Sequence, residues 1–97
     1  MQIAFFDLAD VPFYNQDLED GAQPASVIAM RAAVAEADGV IFATPEYNGS
    51  FSALTKNTID WLSRPAGQEG EAELFKGKVA GLVGASTTPS GALRGLA

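Results

Sequence analysis

Apolar positions along the chain change period several times, and each change marks an element. The run Ile3-Ala4-Phe5-Phe6, ending at Asp7, predicts a short strand. The stretch Asp10-Val11-Pro12-Phe13-Tyr14-Asn15-Gln16-Asp17 is rich in proline and turn formers and predicts irregular chain, continuing as a loop to Gln23. Pro24 suits a first helical position, and Val27, Met30, Val34 and Ala37 then recur at spacings of three and four, with Arg31, Glu36 and Asp38 turned elsewhere. Gly39 closes that helix. The following Gly39-Val40-Ile41-Phe42-Ala43-Thr44 is almost wholly apolar, as in a central parallel strand covered on both faces, and Pro45 cannot extend it. Ser52 caps a second helix in which Thr55, Ile59 and Leu62 share a face with Trp61 beside it, until Pro65 and Gly67 stop it. Residues 68–77 read as an acidic surface connection. Lys78-Val79-Ala80-Gly81-Leu82-Val83-Gly84 supplies another buried strand. The small-residue loop Ala85-Ser86-Thr87-Thr88-Pro89-Ser90-Gly91 leads into a helix beginning at Ala92-Leu93-Arg94.

Strand, helix, strand, helix, strand is a βαβαβ unit. Strand twist makes its crossovers right-handed and puts helices on both faces of a parallel sheet. Ninety-seven residues form one domain, a short one for a three-layer sandwich of five strands. Twelve acidic against six basic side chains give a formal charge of -6, which opposes a general grip on nucleic acid or an anionic membrane. With no cysteine and no histidine, disulfides, thiolate chemistry and the commonest metal ligand drop out, and serine-hydrolase and zinc-enzyme chemistries lose most of their support. No apolar run approaches the roughly 20 residues of a membrane span, and Met1-Gln2-Ile3-Ala4-Phe5-Phe6-Asp7 lacks the positive start of a signal peptide. A soluble cytoplasmic protein is expected.

Both loops that follow the two longer strands reach the carboxyl edge of the sheet, where open α/β folds bind ligands. In Pro45-Glu46-Tyr47-Asn48, a tyrosine can cover an aromatic ring and an asparagine can satisfy a heterocycle's polar edge. The same residues also suit an ordinary turn, with Asn48-Gly49 at positive φ and Tyr47 on the core rim. The loop from Ala85 to Gly91 offers backbone amides, or it is a plain strand-to-helix connection. Lys56 and Asp60 have the spacing of a helical ion pair, and Trp61 reads as core or subunit-interface packing. Asp17, Glu19 and Asp20, like Glu69, Glu71 and Glu73, read as solvated charges rather than a metal site.

The segment from Pro45 through Ala53-Leu54-Thr55-Lys56-Asn57-Thr58-Ile59-Asp60-Trp61-Leu62-Ser63-Arg64-Pro65 resembles the NADPH-dependent FMN reductase family of flavodoxin-like proteins. The likeness runs from Leu8-Ala9-Asp10-Val11-Pro12 to Gly84-Ala85-Ser86. It implies a flavodoxin-like, doubly wound parallel sheet in a three-layer α/β/α sandwich, present incompletely as the equivalents of strands 2, 3 and 4 in one domain over residues 1–97. It also implies FMN and NADPH as cofactors, with Pro45, Glu46, Tyr47 and Asn48 against the flavin ring, and Ser86 and Gly91 in a second ring loop. Amide donors there would favour the reduced ring's electron density without a cationic side chain. No residue is expected to act as a general acid, Glu46 included. Electrons would pass to a quinone, metal ion, azo compound or free flavin. Family members begin with one more strand, a serine- and arginine-containing loop around the FMN phosphate, and a helix; the chain is expected to lack these and the fifth strand, and to bind its cofactor less firmly. Without a central strand, a partner chain is expected to fill the gap in a homo-oligomer. A non-catalytic flavodoxin-like binding or assembly module and an electron-carrying flavodoxin are the competing implications.

Overall fold

A computed structural model describes residues 1–64, 73–89 and 91–96. Along the chain it contains α1 (Gln16–Asp20), α2 (Ala25–Glu36), β1 (Gly39–Ala43), α3 (Ala53–Ser63), a 3-10 turn (Glu73–Phe75), β2 (Val79–Val83) and α4 (Leu93–Leu96). β1 and β2 pair in parallel, with Gly39 opposite Val79 and Ala43 opposite Val83. Thr44 extends the ladder by one more bond, its N–H donating to the Val83 carbonyl at 2.9 Å.

The core lies on one side of this pair. Val27, Met30 and Val34 of α2 pack with Trp61 and Leu62 of α3 and with Val11, and Val40, Phe42, Leu74 and Phe75 border the cluster. The spacing of three and four in α2 therefore does what its periodicity predicts. β1 departs from the expected double cover. Alternation along a strand sends Val40 and Phe42 inward and Gly39, Ile41 and Ala43 outward, and Ile41 is 56% exposed, with Val79 and Val83 also open. Total accessible area is 6819 Å², whereas mass scaling gives about 5,300 Å² for a compact monomer of 10.1 kDa.

Ile3 to Phe6 form no strand: the segment is exposed, Phe5 at 97%. A strand exists by its ladder, and among the described residues β1 pairs only with β2. The stretch read as loop contains α1, which starts because the Asn15 side chain accepts the Asp17 N–H at 2.9 Å. Of the connection at residues 68–77, residues 68–72 fall outside the described chain. Beyond them Leu74 and Phe75 turn inward to the core rather than lying on the surface.

Two polar residues set the position of α3. Its buried face is Asn57, Thr58, Trp61 and Leu62, rotated from the expected Thr55, Ile59 and Leu62. The reason is Asn57, whose carboxamide accepts from Tyr14 N (2.7 Å) and donates to Pro12 O (2.9 Å), while Trp61 Nε1 donates to the same Pro12 carbonyl at 2.8 Å. These bonds satisfy the backbone of a loop that has no ladder of its own. Arg31, read as turned away from the core, is buried, and its Nη1 donates to the carbonyls of Trp61, Leu62 and Arg64. A cation thus closes the carbonyl end of α3. Beside it, Arg64 makes a two-pronged pair with Glu19 at 3.0 Å on each arm, so Glu19 is a partnered carboxylate rather than a solvated charge. The Arg64 hydrogen bond holds the Glu19 carboxyl below its ordinary value. Loss of water and the bond to Glu19 hold the Tyr14 phenol above its own. Tyr14 in turn meets Trp61 edge-on, with ring centres 4.9 Å apart. Lys56 and Asp60 form the expected pair, at 2.6 Å. No helix of the described residues is long and apolar enough to cross a membrane.

Candidate functional site

Two loops leave the carboxyl ends of neighbouring parallel strands, so they rise from one edge of the sheet. The first is built on Thr44, which is 5% exposed. Its hydroxyl donates to the Pro45 carbonyl (2.9 Å) and accepts the Ser52 N–H (3.0 Å), clasping the start of the loop to its end. Ser52 then caps α3, its Oγ accepting the Thr55 N–H at 3.2 Å. Between these fixed points, Tyr47 and Ser50 exchange both backbone bonds, at 2.9 and 3.0 Å. Asn48 at φ 53° and Gly49 at φ 72° make the turn between them the left-handed kind that a two-residue hairpin needs. A Cβ on Gly49 would also stand 3.4 Å from the Arg94 side chain.

This turn lifts Tyr47 clear of the core, 60% exposed, with exposed Asn48 next to it. Pro45 is exposed at the strand end. Glu46 does something different. One carboxylate oxygen accepts the N–H of Arg94 at 2.8 Å and of Gly95 at 3.1 Å, both in α4. The first loop is thereby fastened to the helix that follows the second.

The second loop is organised around Thr88. Ser86, half-buried, accepts the Thr88 N–H at 3.2 Å and shares a hydrogen with the Thr88 hydroxyl at 3.1 Å, and that hydroxyl donates to Gly91 O at 3.1 Å. Gly91, at φ 60°, returns its N–H to Thr88 O. Ser86 and Gly91 are thus brought together through one threonine. Gly84 lets α4 approach, since a Cβ there would lie 2.8 Å from Ala92 Cβ and 2.9 Å from Thr44 O.

Pro45, Glu46, Tyr47 and Asn48 therefore share one short turn, Ser86 and Gly91 share another, and α4 bridges the two. Two hollows lie elsewhere. An apolar one of about 240 Å³ is bordered by Val40, Phe42, Ile59 and Phe75. A more open one of about 760 Å³ lies between Phe6, Phe13 and Leu54. Neither is lined by any of the six positions, which lie on the loops at the edge of the sheet. Sequence reasoning missed Thr44, whose hydroxyl looked like the last residue of an apolar strand, and Arg94, whose exposed side chain places a cation over Gly49. A polar residue directly before a proline at a strand end was the available signal for Thr44; for Arg94 there was none, because its approach depends on how α4 folds back.

Comparison with known proteins bears on the family and the fold. The profile of the family described as NADPH-dependent FMN reductase matches residues 1–97. The chain is 40% identical over 94 residues to an NAD(P)H-dependent FMN reductase of Pseudomonas aeruginosa, covering 97% of this chain and 48% of that protein. It is 48% identical over 66 residues to an NADPH:quinone oxidoreductase of Arabidopsis thaliana, covering 67% of this chain and 34% of the relative. Among solved structures, the flavoenzyme NAD(P)H:(acceptor) oxidoreductase FerB of Paracoccus denitrificans superposes with a TM-score of 0.80 at 38% identity, over 94% of this chain and 47% of its own. The chain spans about half the length, or less, of these relatives.

Proposed function

Because the chain belongs to the NADPH-dependent FMN reductase family, we propose that its two rim loops hold the flavin ring of FMN in an NAD(P)H-dependent oxidoreductase whose acceptor is a small molecule. The observation that carries this reading is the common origin of the loops: both leave one edge of a parallel strand pair, and Glu46 ties the first to the helix that closes the second.

The residues suit a flat, partly polar ring. Tyr47 presents a large exposed aromatic surface on a turn whose two mutual backbone bonds limit its freedom, and flat rings pair through such surfaces. Asn48 beside it carries both a donor and an acceptor. Ser86 and Gly91 shape the opposite loop, and the Arg94 guanidinium supplies positive charge beside Gly49 of the first. FMN, when bound, supplies the chemistry of taking a hydride from the nicotinamide and giving electrons to an oxidant. The chain's own part is to bind and orient that ring; no side chain here is required to carry a proton. Quinones are the favoured acceptor class, since several relatives are quinone reductases; metal ions, azo compounds and free flavin are the alternatives.

We read the open outer sheet face, with Ile41, Val79 and Val83, as the surface on which a second copy of the chain packs, giving a homo-oligomer. Sedimentation that finds only monomer at micromolar concentration would count against it.

Titration of the chain into FMN tests the main reading. Quenched flavin fluorescence is expected, followed by bleaching of the flavin's visible band when NADPH is added and its recovery on adding a quinone. Binding without bleaching would favour a non-catalytic flavin-binding module, and no quenching at all would defeat the assignment of the loops.

A further inference from the structure

We propose that Glu46 is a positioning residue that sets flavin affinity by locking the two rim loops to each other, an inference that rests on the flavin reading above. Its carboxylate lies across the gap between them. Oε1 takes the N–H groups of both Arg94 and Gly95, so the group is occupied by α4 rather than directed at a ligand. The contact reaches well beyond Glu46's own loop, joining residues 48 and 49 apart in sequence. Close packing reinforces it: a Cβ on Gly95 would stand 3.3 Å from Glu46 Cβ and 3.3 Å from Ser50 O. Arg94 lies along Gly49 on the same side. The lock thus joins the turn that carries Tyr47 to the helix that ends the Ser86–Gly91 loop.

Such a contact changes affinity without touching the ligand. Two loops that move independently must be ordered when a ring binds between them, and that ordering is subtracted from the binding energy. A carboxylate accepting two amide bonds performs the ordering beforehand. The lock's disruption leaves the chain folded, because the core around Trp61, Met30 and Val27 shares no residue with these contacts.

Two replacements separate positioning from proton transfer. Glu46→Ala should weaken FMN binding, read by fluorescence quenching, by about tenfold, the scale of ordering one or two loop side chains, and should speed amide hydrogen exchange at Arg94 and Gly95 while leaving α3 protected. Glu46→Gln keeps an oxygen that accepts the same two bonds and should recover most of both losses, with no change in the pH profile of NADPH oxidation. Gly95→Ala, which crowds the contact and keeps the carboxylate, should give a smaller loss in the same direction. Unchanged exchange at Arg94 and Gly95 in Glu46→Ala would overturn the proposal, as would a Glu46→Gln protein that binds FMN normally and loses turnover as fully as the alanine variant. If the wild-type chain itself fails to bind FMN, the flavin reading and its affinity consequence fall together, whereas faster exchange in Glu46→Ala would still establish the lock between loops.

Discussion

Replacing Arg31 by methionine tests whether a buried cation secures the scaffold beneath the rim. Arg31 is 6% exposed, and its Nη1 reaches Trp61 O at 3.0 Å, Leu62 O at 3.2 Å and Arg64 O at 2.8 Å. One nitrogen has two hydrogens, so at least one bond is shared between carbonyls. Those carbonyls lie at the carboxyl end of α3, where a helix's last C=O groups draw partners from outside its own ladder. Methionine keeps most of the apolar stem and removes every donor. The two most deeply buried carbonyls then lose their bonds, at about 1–3 kcal/mol each. Relief of the desolvation of a buried guanidinium offsets part of this, leaving a net loss of roughly 2–4 kcal/mol. For a chain of this length, with a total stability on the order of 5–15 kcal/mol, that is a large fraction. Urea unfolding followed through the fluorescence of Trp61, the sole tryptophan and a fully buried one, measures it directly. A midpoint shift equivalent to less than about 1 kcal/mol, with an unchanged slope, would show that water or the unfolded chain replaces these bonds at little cost and would refute the reasoning.

Thr44→Val preserves shape and removes the clasp, stranding the Ser52 N–H; a loss of about 1–3 kcal/mol in thermal unfolding is expected together with weaker FMN binding, because the loop is freed at both ends. A variant that melts and binds like the parent would separate Thr44 from the site. Glu19 gives a pH signature. Its folded pKa is depressed by Arg64, so the pair stabilises the fold above the ordinary carboxylate range and that contribution is lost as the pH falls through the folded value. Glu19→Gln should therefore cost stability at neutral pH and flatten the acid limb of the Tm profile; equal acid sensitivity in both proteins would assign the limb to other carboxylates.

The contrast between what could and could not be read from the residues follows from the reach of each interaction. The periodicity of Val27, Met30 and Val34, the cap at Ser52, the Lys56–Asp60 pair and the strand-ending Pro45 are local, and each was legible because its cause lies within a few residues. What the sequence concealed was the partner at long range. Arg31 looked like a surface charge because nothing near it in sequence shows that α3 ends against it, 30 residues later. Asn57 lies off the face marked by Thr55, Ile59 and Leu62, yet it turns α3 inward by bonding the backbone of Pro12 and Tyr14. Ile3 to Phe6 had the composition of a strand and, among the described residues, no neighbour to make them one. The same distinction governs the rim. The turn at Asn48-Gly49 and the loop at Ser86 were visible as short-range chemistry, whereas the Glu46 contact with α4 was not, since it depends on two chain segments meeting over the end of the sheet. A carboxylate in such a loop reads from sequence as a solvated group or one paired with a lysine. In the folded chain it has two backbone donors in hand, and that occupation shifts the question about Glu46 from chemistry to geometry.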